Sequence, residues 1–252
     1  MKNKKYSFPT NKEISDLSKY VLRASKKDFK KLEKASLAWI RAAWENKLDY
    51  EVNWLGIPII QNPYDMILMQ ELIFRVRPDL IIETGIAHGG SIIYYASVLE
   101  LLGTGKVIGV DIDIRKHNRR LIEKHPMAKR IEMFQGGSTD WSLIKKLKEN
   151  VKKYKKVLVC LDSHHGYEHV LKELRFYSPL VSRGSYMVVS DTFMPKLFGL
   201  KGTKSIYSDY RKDNPMSAVK KFLSENKNFA IDKNYNKFFV SSCPDGFLRR
   251  IK

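Results

Sequence analysis

The chain reads as a doubly wound α/β protein. It has a mostly parallel sheet with helices on both faces, an antiparallel hairpin at the C-terminal edge and a helical extension in front. Three observations predict this. Five short apolar runs recur at 80–83, 106–111, 131–135, 157–161 and 185–190. Helix-patterned stretches fill the gaps at roughly 90–102, 115–124, 140–152 and 167–179. Such alternation of strands and crossover helices builds a parallel sheet covered on both sides. Several of the runs also end in an acid, at Glu83, Asp111, Asp162 and Asp191, which collects charge along one rim.

In order along the chain, residues 1–50 are helical in character, and 35–44 (ASLAWIRAAW) place Leu37, Ile40 and Trp44 on one face. Residues 51–65 read as a loop because Gly56, Pro58 and Pro63 break any period. A helix follows over 66–75 and stops before Pro78. Residues 193–215 are long and irregular, the mark of a functional lid loop, and Pro215 opens a helix to 223. The runs 229–232 and 237–242 flank DKNYN and predict the closing hairpin. The division expected is 1–65 as a helical cap and 66–252 as the main domain.

Composition narrows the function. The 252 residues are 43% hydrophobic, enough for a full core. No run of 18 apolar residues occurs, so no transmembrane segment is expected, and the basic start MKNKKYSFPTNKE lacks the apolar stretch of a secretory signal. Cys160 and Cys243 are too few for a disulfide framework or a cysteine zinc site, and suit a reducing cytoplasm. The net charge of +19 invites an anionic partner, but lysine supplies 33 of the 46 basic residues, many on exposed-looking helix faces. Arginine is the richer choice for reading phosphates, and no nucleic-acid module is visible, so no specific nucleic acid is expected. The charge is assigned to solubility and to attraction of anionic substrates.

The stretch 80–97, LIIETGIAHGGSIIYYAS, carries the first chemistry. Ligands collect at the C-terminal ends of strands in open parallel sheets. Glu83 and Thr84 end the first run, and Gly85, Gly89, Gly90 and Ser91 lead into a helix. Bare backbone admits a ligand closely, and free amides at a helix start suit a carboxylate. The spacing G-x-x-x-G-G is not the dinucleotide pattern. The glutamate would repel a pyrophosphate and attract an ammonium group. A ligand bearing both ammonium and carboxylate points to S-adenosylmethionine rather than NAD. Glycines that only ease helix–strand packing are the bland alternative. Asp111, 28 residues after Glu83, is placed to bridge two ribose hydroxyls. Ser138, in GGSTD, would reach an adenine edge or else cap a helix.

The fourth run ends in Asp162-Ser163-His164-His165 and the fifth in Ser190-Asp191. Neighbouring strands would set Asp162 and Asp191 side by side, where they repel unless a cation or proton intervenes. Oxygen donors favour magnesium. Each aspartate capping the segment after it is the competing account. His165 would project over the same rim as a base for a metal-acidified hydroxyl. An iron oxygenase is not favoured, since no H-x-D or H-x-E occurs.

RPDLIIETGIAHGGSIIYYAS, LDSHHGYEHVLKELRFYSPLVSRGSYMVVSDT, NPMSAVKKFL and CPDGFLRRI together resemble the cephalosporin hydroxylase family over roughly 50–252. That family resembles class I S-adenosylmethionine-dependent O-methyltransferases, rhamnosyl-methylating enzymes among them, with a Rossmann-like sheet and an antiparallel last strand. The resemblance implies that Glu83, Gly85 and Ser91 hold the methionine part and Asp111 the ribose, and that Asp162 and Asp191 bind magnesium, with Ser190 where the family has a second acid. The chain is also similar to catechol O-methyltransferases, whose lysine base stands three residues after the aspartate, where His165 stands here. The expected activity is magnesium-assisted methylation of a hydroxyl on a sugar, glycan or glycolipid precursor. A small natural product is the alternative acceptor. An NAD-dependent enzyme and a non-catalytic basic module for nucleic acid or glycan are competing classes. The acceptor is expected to be chosen by the N-terminal helices and the 193–215 loop, where Lys196, Lys201, Lys204 and Arg211 would attract an anionic group or else simply form a solvated lysine-rich loop. A homo-oligomer is expected, with Trp39, Trp44 and Trp54 packing on a neighbour.

Overall fold

The computed structural model describes residues 7–17, 29–200 and 209–252. Helices α1 (Asn11–Leu17) and α2 (Phe29–Glu45) precede a two-stranded ribbon, β1 (Asn53–Trp54) and β2 (Ile57–Pro58). Helix α3 (Pro63–Val76) leads into alternating β3 (Leu80–Thr84), α4 (Gly90–Leu102), β4 (Lys106–Asp111), α5 (Lys116–Lys124), β5 (Ile131–Gln135), α6 (Trp141–Val151), β6 (Val157–Leu161), α7 (Tyr167–Tyr177) and β7 (Tyr186–Val189). Helix α8 (Pro215–Glu225), β8 (Phe229–Ile231) and β9 (Phe247–Arg250) complete the chain.

The seven-stranded sheet has the order β5-β4-β3-β6-β7-β9-β8. All pairings from β5 to β7 are parallel, and β9 runs against both of its neighbours. The doubly wound sheet expected from the sequence is therefore present. β3 and β6 are buried at every residue, which explains their unbroken apolar spelling. One apolar cluster joins α3 and α4 to one face of the sheet, and a second joins α6, α7 and α8 to the other. After β5 the chain crosses back to place β6 beside β3. That reversal opens a crevice at the C-terminal ends of β3 and β6, where such sheets bind ligands.

Three local expectations need correction. The hairpin partner of β8 is β9, not 237–242. The latter segment is pinned in an irregular path because the Asp65 carboxylate accepts from Ser241 Oγ and from the Ser242 amide, and Phe239 takes a φ of 62°. The 51–65 stretch contains the β1–β2 ribbon, turning through Leu55 (φ 47°) and Gly56 (φ 85°). Leucine rarely takes a left-handed turn position, so the sequence hid it. In α2 the buried positions are Ser36, Ile40 and Ala43, and Leu37 is exposed.

Candidate active site

A cavity of about 370 Å³ lies over the crevice, within the ~300–1,000 Å³ typical of small-molecule sites. Its floor is the turn from Gly85 to Ser91. One rim is Asp162, Ser163, His165, Ser190 and Asp191, and the roof comes from Trp44, Asp49 and Tyr50 with Phe193, Met194 and Tyr210. The roof elements form their own apolar cluster around Ile40, Leu197 and Tyr210. Arg41 fastens them, donating to the carbonyls of Lys196 (2.6 Å) and Phe198 (3.3 Å). Residues 201–208 of the expected lid loop, with Lys201 and Lys204, lie outside the described residues. Lys196 is exposed. Arg211 is paired with Asp209 at 3.0 Å and lies over Phe198. Among the described residues no lysine or arginine lines the cavity.

The glycines serve packing. A Cβ on Gly85 (φ 80°) would fall 2.1 Å from the Asp162 carbonyl oxygen, and one on Gly90 2.3 Å from the Pro58 carbonyl oxygen. One on Gly89 (φ 93°) would strike the Ile122 side chain at 2.3 Å. Each close approach is to protein, so packing by itself already calls for glycine at these three positions. The bare turn lets β6, β2 and α5 converge to make the cavity wall. What faces the cavity is the start of α4, whose N-cap Gly89 has no side chain to bond the first amides, leaving donors for an anionic group.

Glu83 lies one layer below, fully buried, its Oε2 accepting from Ser91 Oγ. The Tyr95 hydroxyl also lies against this carboxyl. Burial pushes this carboxyl up to about 8. Thr84 is also fully buried beneath the turn. Asp111 reaches the turn, but its Oδ2 accepts from the amides of Ile86 (2.9 Å) and Ala87 (3.2 Å) and its Oδ1 from Asp113 (3.0 Å). It shapes the loop in this state. Ser138 does not line the cavity. It is buried, with Oγ 3.0 Å from His169 Nε2, in a polar cluster with Ser163 and the buried Glu173.

The register of β6 with β7, Leu161 against Val189, sets Asp162 opposite Ser190, and Asp191, one residue further on at a left-handed φ of 57°, is close enough for its charge to act on Asp162. With His165 they offer donor atoms that all lie within 4.8 Å of one another. His165 Nε2 is 3.1 Å from Asp191 Oδ2. The two histidines nearest it in sequence are drawn away: His164 Nδ1 accepts from the Gly166 amide, and His169 joins the Ser138–Ser163–Glu173 cluster. Burial, then the Asp191 charge, holds the Asp162 carboxyl well above its ordinary range. A cation between the carboxylates relieves that repulsion, so the set fits a divalent ion. Asp191 sits at a φ of 57°, a conformation common where function fixes a side chain.

Several residues were not legible as site members. Gln61 Nε2 donates to Asp162 Oδ2 at 2.9 Å across 101 positions of sequence. Asp49 projects from the cap, its carboxyl raised by burial and by Asp191. Asp65 is buried and raised to about 7, chiefly by desolvation, while holding Ser242 directly and Cys243 through Ser241 Oγ at the cavity. Of the three tryptophans expected at an interface, Trp44 lines the cavity and Trp54 bonds Ser97 and meets Tyr94 edge-on. Trp39 stays exposed. No helix among the described residues is long and apolar enough to cross a membrane.

The chain is similar to known proteins of one family. Residues 46–251 fit the family described as rhamnosyl O-methyltransferase/CmcI. The rhamnosyl O-methyltransferase of Mycobacterium tuberculosis (strain ATCC 25618 / H37Rv) is 30% identical over 210 residues, covering 79% of this chain and 78% of that one. The protein of the same name from Mycobacterium leprae (strain TN) is 31% identical over 143 residues, 55% and 59% of the two chains. Among solved structures, one described as "cmcI-D160 Mg-SAM" superposes with a TM-score of 0.58 at 17% identity, covering 100% of this chain and 88% of that one. A putative caffeoyl-CoA O-methyltransferase from Staphylococcus aureus gives 0.54 at 13%, covering 88% and 91%. These likenesses show the fold of class I methyltransferases. The match over 46–251 and the mycobacterial relatives establish the family: this chain belongs to the rhamnosyl O-methyltransferase/CmcI family.

Proposed function

We propose that the protein transfers a methyl group from S-adenosylmethionine to a hydroxyl of a sugar or glycan precursor, assisted by a divalent cation. The observation that carries this is one cavity lined both by the uncapped start of α4 and by the Asp162–His165–Asp191 cluster. The relatives' names supply the sugar, and the neighbour described with Mg and SAM supplies magnesium as the first ion to test.

In this scheme the amides at the start of α4 receive the methionine carboxylate. Glu83, below Ser91, is the candidate for the ammonium group; its carboxyl is buried and does not line the cavity, so the turn above it must shift for the two to meet. Asp111, at the end of β4, is the candidate for the ribose, exchanging loop amides for ribose hydroxyls. Asp162 and Asp191 hold the ion, and Gln61 fixes one Asp162 oxygen so that the carboxylate keeps its bearing. Once bound, the sulfonium supplies the methyl group and the ion lowers the pKa of an acceptor hydroxyl. The cap residues Trp44, Asp49 and Tyr50 close over the acceptor and exclude water, so the hydroxyl meets the methyl carbon in line. Both cysteines are free and buried, in keeping with a protein that works in the cytoplasm.

Calorimetry of S-adenosylmethionine into the purified chain, with and without magnesium, should give saturable heat. Labelled methyl should then pass to a rhamnoside acceptor. No heat under either condition defeats the proposal.

A further inference from the structure

We propose that His165 is a metal ligand of this chain, and that the site therefore favours a transition ion such as Co2+, Fe2+ or Zn2+ over Mg2+. The inference rests on the reading that the cavity holds a cation. It departs from the role as base that the position of His165 in the sequence suggests.

The fifth sheet strand in chain order ends in Ser190-Asp191, so a hydroxyl stands where a second carboxylate was expected. The third donor grouped with Asp162 and Asp191 is the His165 imidazole. Its Nε2 lies 3.1 Å from Asp191 Oδ2 in an ion-pair contact, close enough for both atoms to turn onto one ion. Local structure puts it there. The Gly166 amide bonds back to His164 Nδ1 at 3.1 Å, turning His164 out of the cavity, while His165 lines it.

Mg2+ demands oxygen donors in octahedral array, whereas imidazole suits Fe, Co, Ni and Zn. Two carboxylates and one imidazole make a mixed set whose nitrogen adds affinity for the transition ions and little for Mg2+. An imidazole nitrogen given to a metal cannot also take a proton, so the ligand and base roles exclude each other at Nε2. The proton of the acidified acceptor hydroxyl then needs another acceptor, and Asp49 is the carboxylate left at the cavity once Asp162 and Asp191 hold the ion.

The test uses the full chain stripped of metal, titrated with CoCl2 by visible absorption and with MgCl2 by calorimetry. S-adenosylmethionine binding is measured separately. Wild type should bind Co2+ more tightly than Mg2+ and show a paramagnetically shifted histidine N–H resonance. His165→Ala should lose that resonance and weaken Co2+ by about tenfold or more, since loss even of a partner behind a ligand costs about 10–100-fold. Mg2+ affinity should change far less. His165→Asp, which restores an oxygen donor, should strengthen Mg2+ and narrow the gap between the ions. The proposal is overturned if His165→Ala, folded by circular dichroism, keeps both metal affinities while turnover falls, for then His165 is the base. It is also overturned if wild type binds S-adenosylmethionine but neither ion. Metal binding with the His165 dependence but no S-adenosylmethionine binding would uphold it and defeat the methyltransferase reading instead.

Discussion

Replacing Gly85 by alanine tests whether the glycine-rich turn is dictated by protein packing. Two costs are separable. Gly85 has a φ of 80°, and a left-handed position charges an L residue roughly 1–2 kcal/mol. The new Cβ would also sit 2.1 Å from the Asp162 carbonyl oxygen and 2.6 Å from Ser163 Cα, both backbone atoms that cannot rotate away. Overpacking of this kind adds about 1–3 kcal/mol. The expected loss is thus about 2–5 kcal/mol. At roughly 2–4 °C per kcal/mol for a chain near this size, the melting temperature should fall by about 4–20 °C. Gly103→Ala is the control, because Gly103 shares the left-handed backbone (φ 76°) with nothing within 4 Å of the added atom. It should lose only the first part. Urea and thermal unfolding of both variants without ligand give the comparison. If the two alanine variants are equally stable, the contact with Asp162 has been misjudged and the ligand-access account of Gly85 returns. A shifted Asp162 backbone should also weaken metal binding in Gly85→Ala and leave it intact in Gly103→Ala.

The Glu83 carboxyl, ordinarily near 4.5, is raised to about 8 in the ligand-free fold. Its contribution to stability is therefore full below about pH 4.5 and lost as pH rises through about 8. Glu83→Gln should flatten the decline in melting temperature between pH 5 and 9, and matching slopes for the two proteins would refute this. Asp65→Ala strips the Ser241 hydroxyl and the Ser242 amide of their acceptor. At about 1–3 kcal/mol for each stranded group, it should cost about 2–6 kcal/mol in urea unfolding, whereas a loss below about 1 kcal/mol would mean that 237–242 is held by other contacts. Arg41→Ala removes the two bonds from α2 to the 194–198 segment. Global stability should drop by only about 1–2 kcal/mol, while proteolysis near residue 196 speeds up, and an unchanged cleavage rate would show that the cap is held without Arg41.

The strands of the sheet were legible because each is short, apolar and bounded by helix-patterned chain. Asp162 and Asp191 were legible as a pair for the same reason: a parallel β6–β7 pairing fixes their neighbourhood before any side chain is placed. Contacts formed between distant segments were not. Gln61 meets Asp162, Arg41 meets Lys196, and Asp65 meets Ser241, each across more than 100 positions. No local period encodes such meetings. The displaced hairpin has the same origin: 237–242 has a strand-like spelling, yet a buried carboxylate on α3 takes the donors that a ladder would have used. The partner of Ser138 was hidden for a related reason, since its hydroxyl meets His169 from α7.

The net charge of +19 and the charge of the cavity point in opposite directions. The described lining contributes Asp49, Asp162 and Asp191 and no lysine or arginine. Surface charges act over about a Debye length, ~8 Å at physiological salt, so they bear on approach to the protein more than on recognition inside it. Within the cavity the balance is local. Asp162 and Asp191 are matched by a divalent ion and the sulfonium donor brings a positive charge, which leaves Asp49 as the acid on the acceptor side. A carboxylate there accepts hydrogen bonds from hydroxyls and repels another anion. The described cavity is thus suited to an uncharged polyol, with aromatic side chains of Trp44, Tyr50 and Tyr210 against its apolar faces. The basic surface bears on what approaches the protein at longer range and not on recognition inside the cavity.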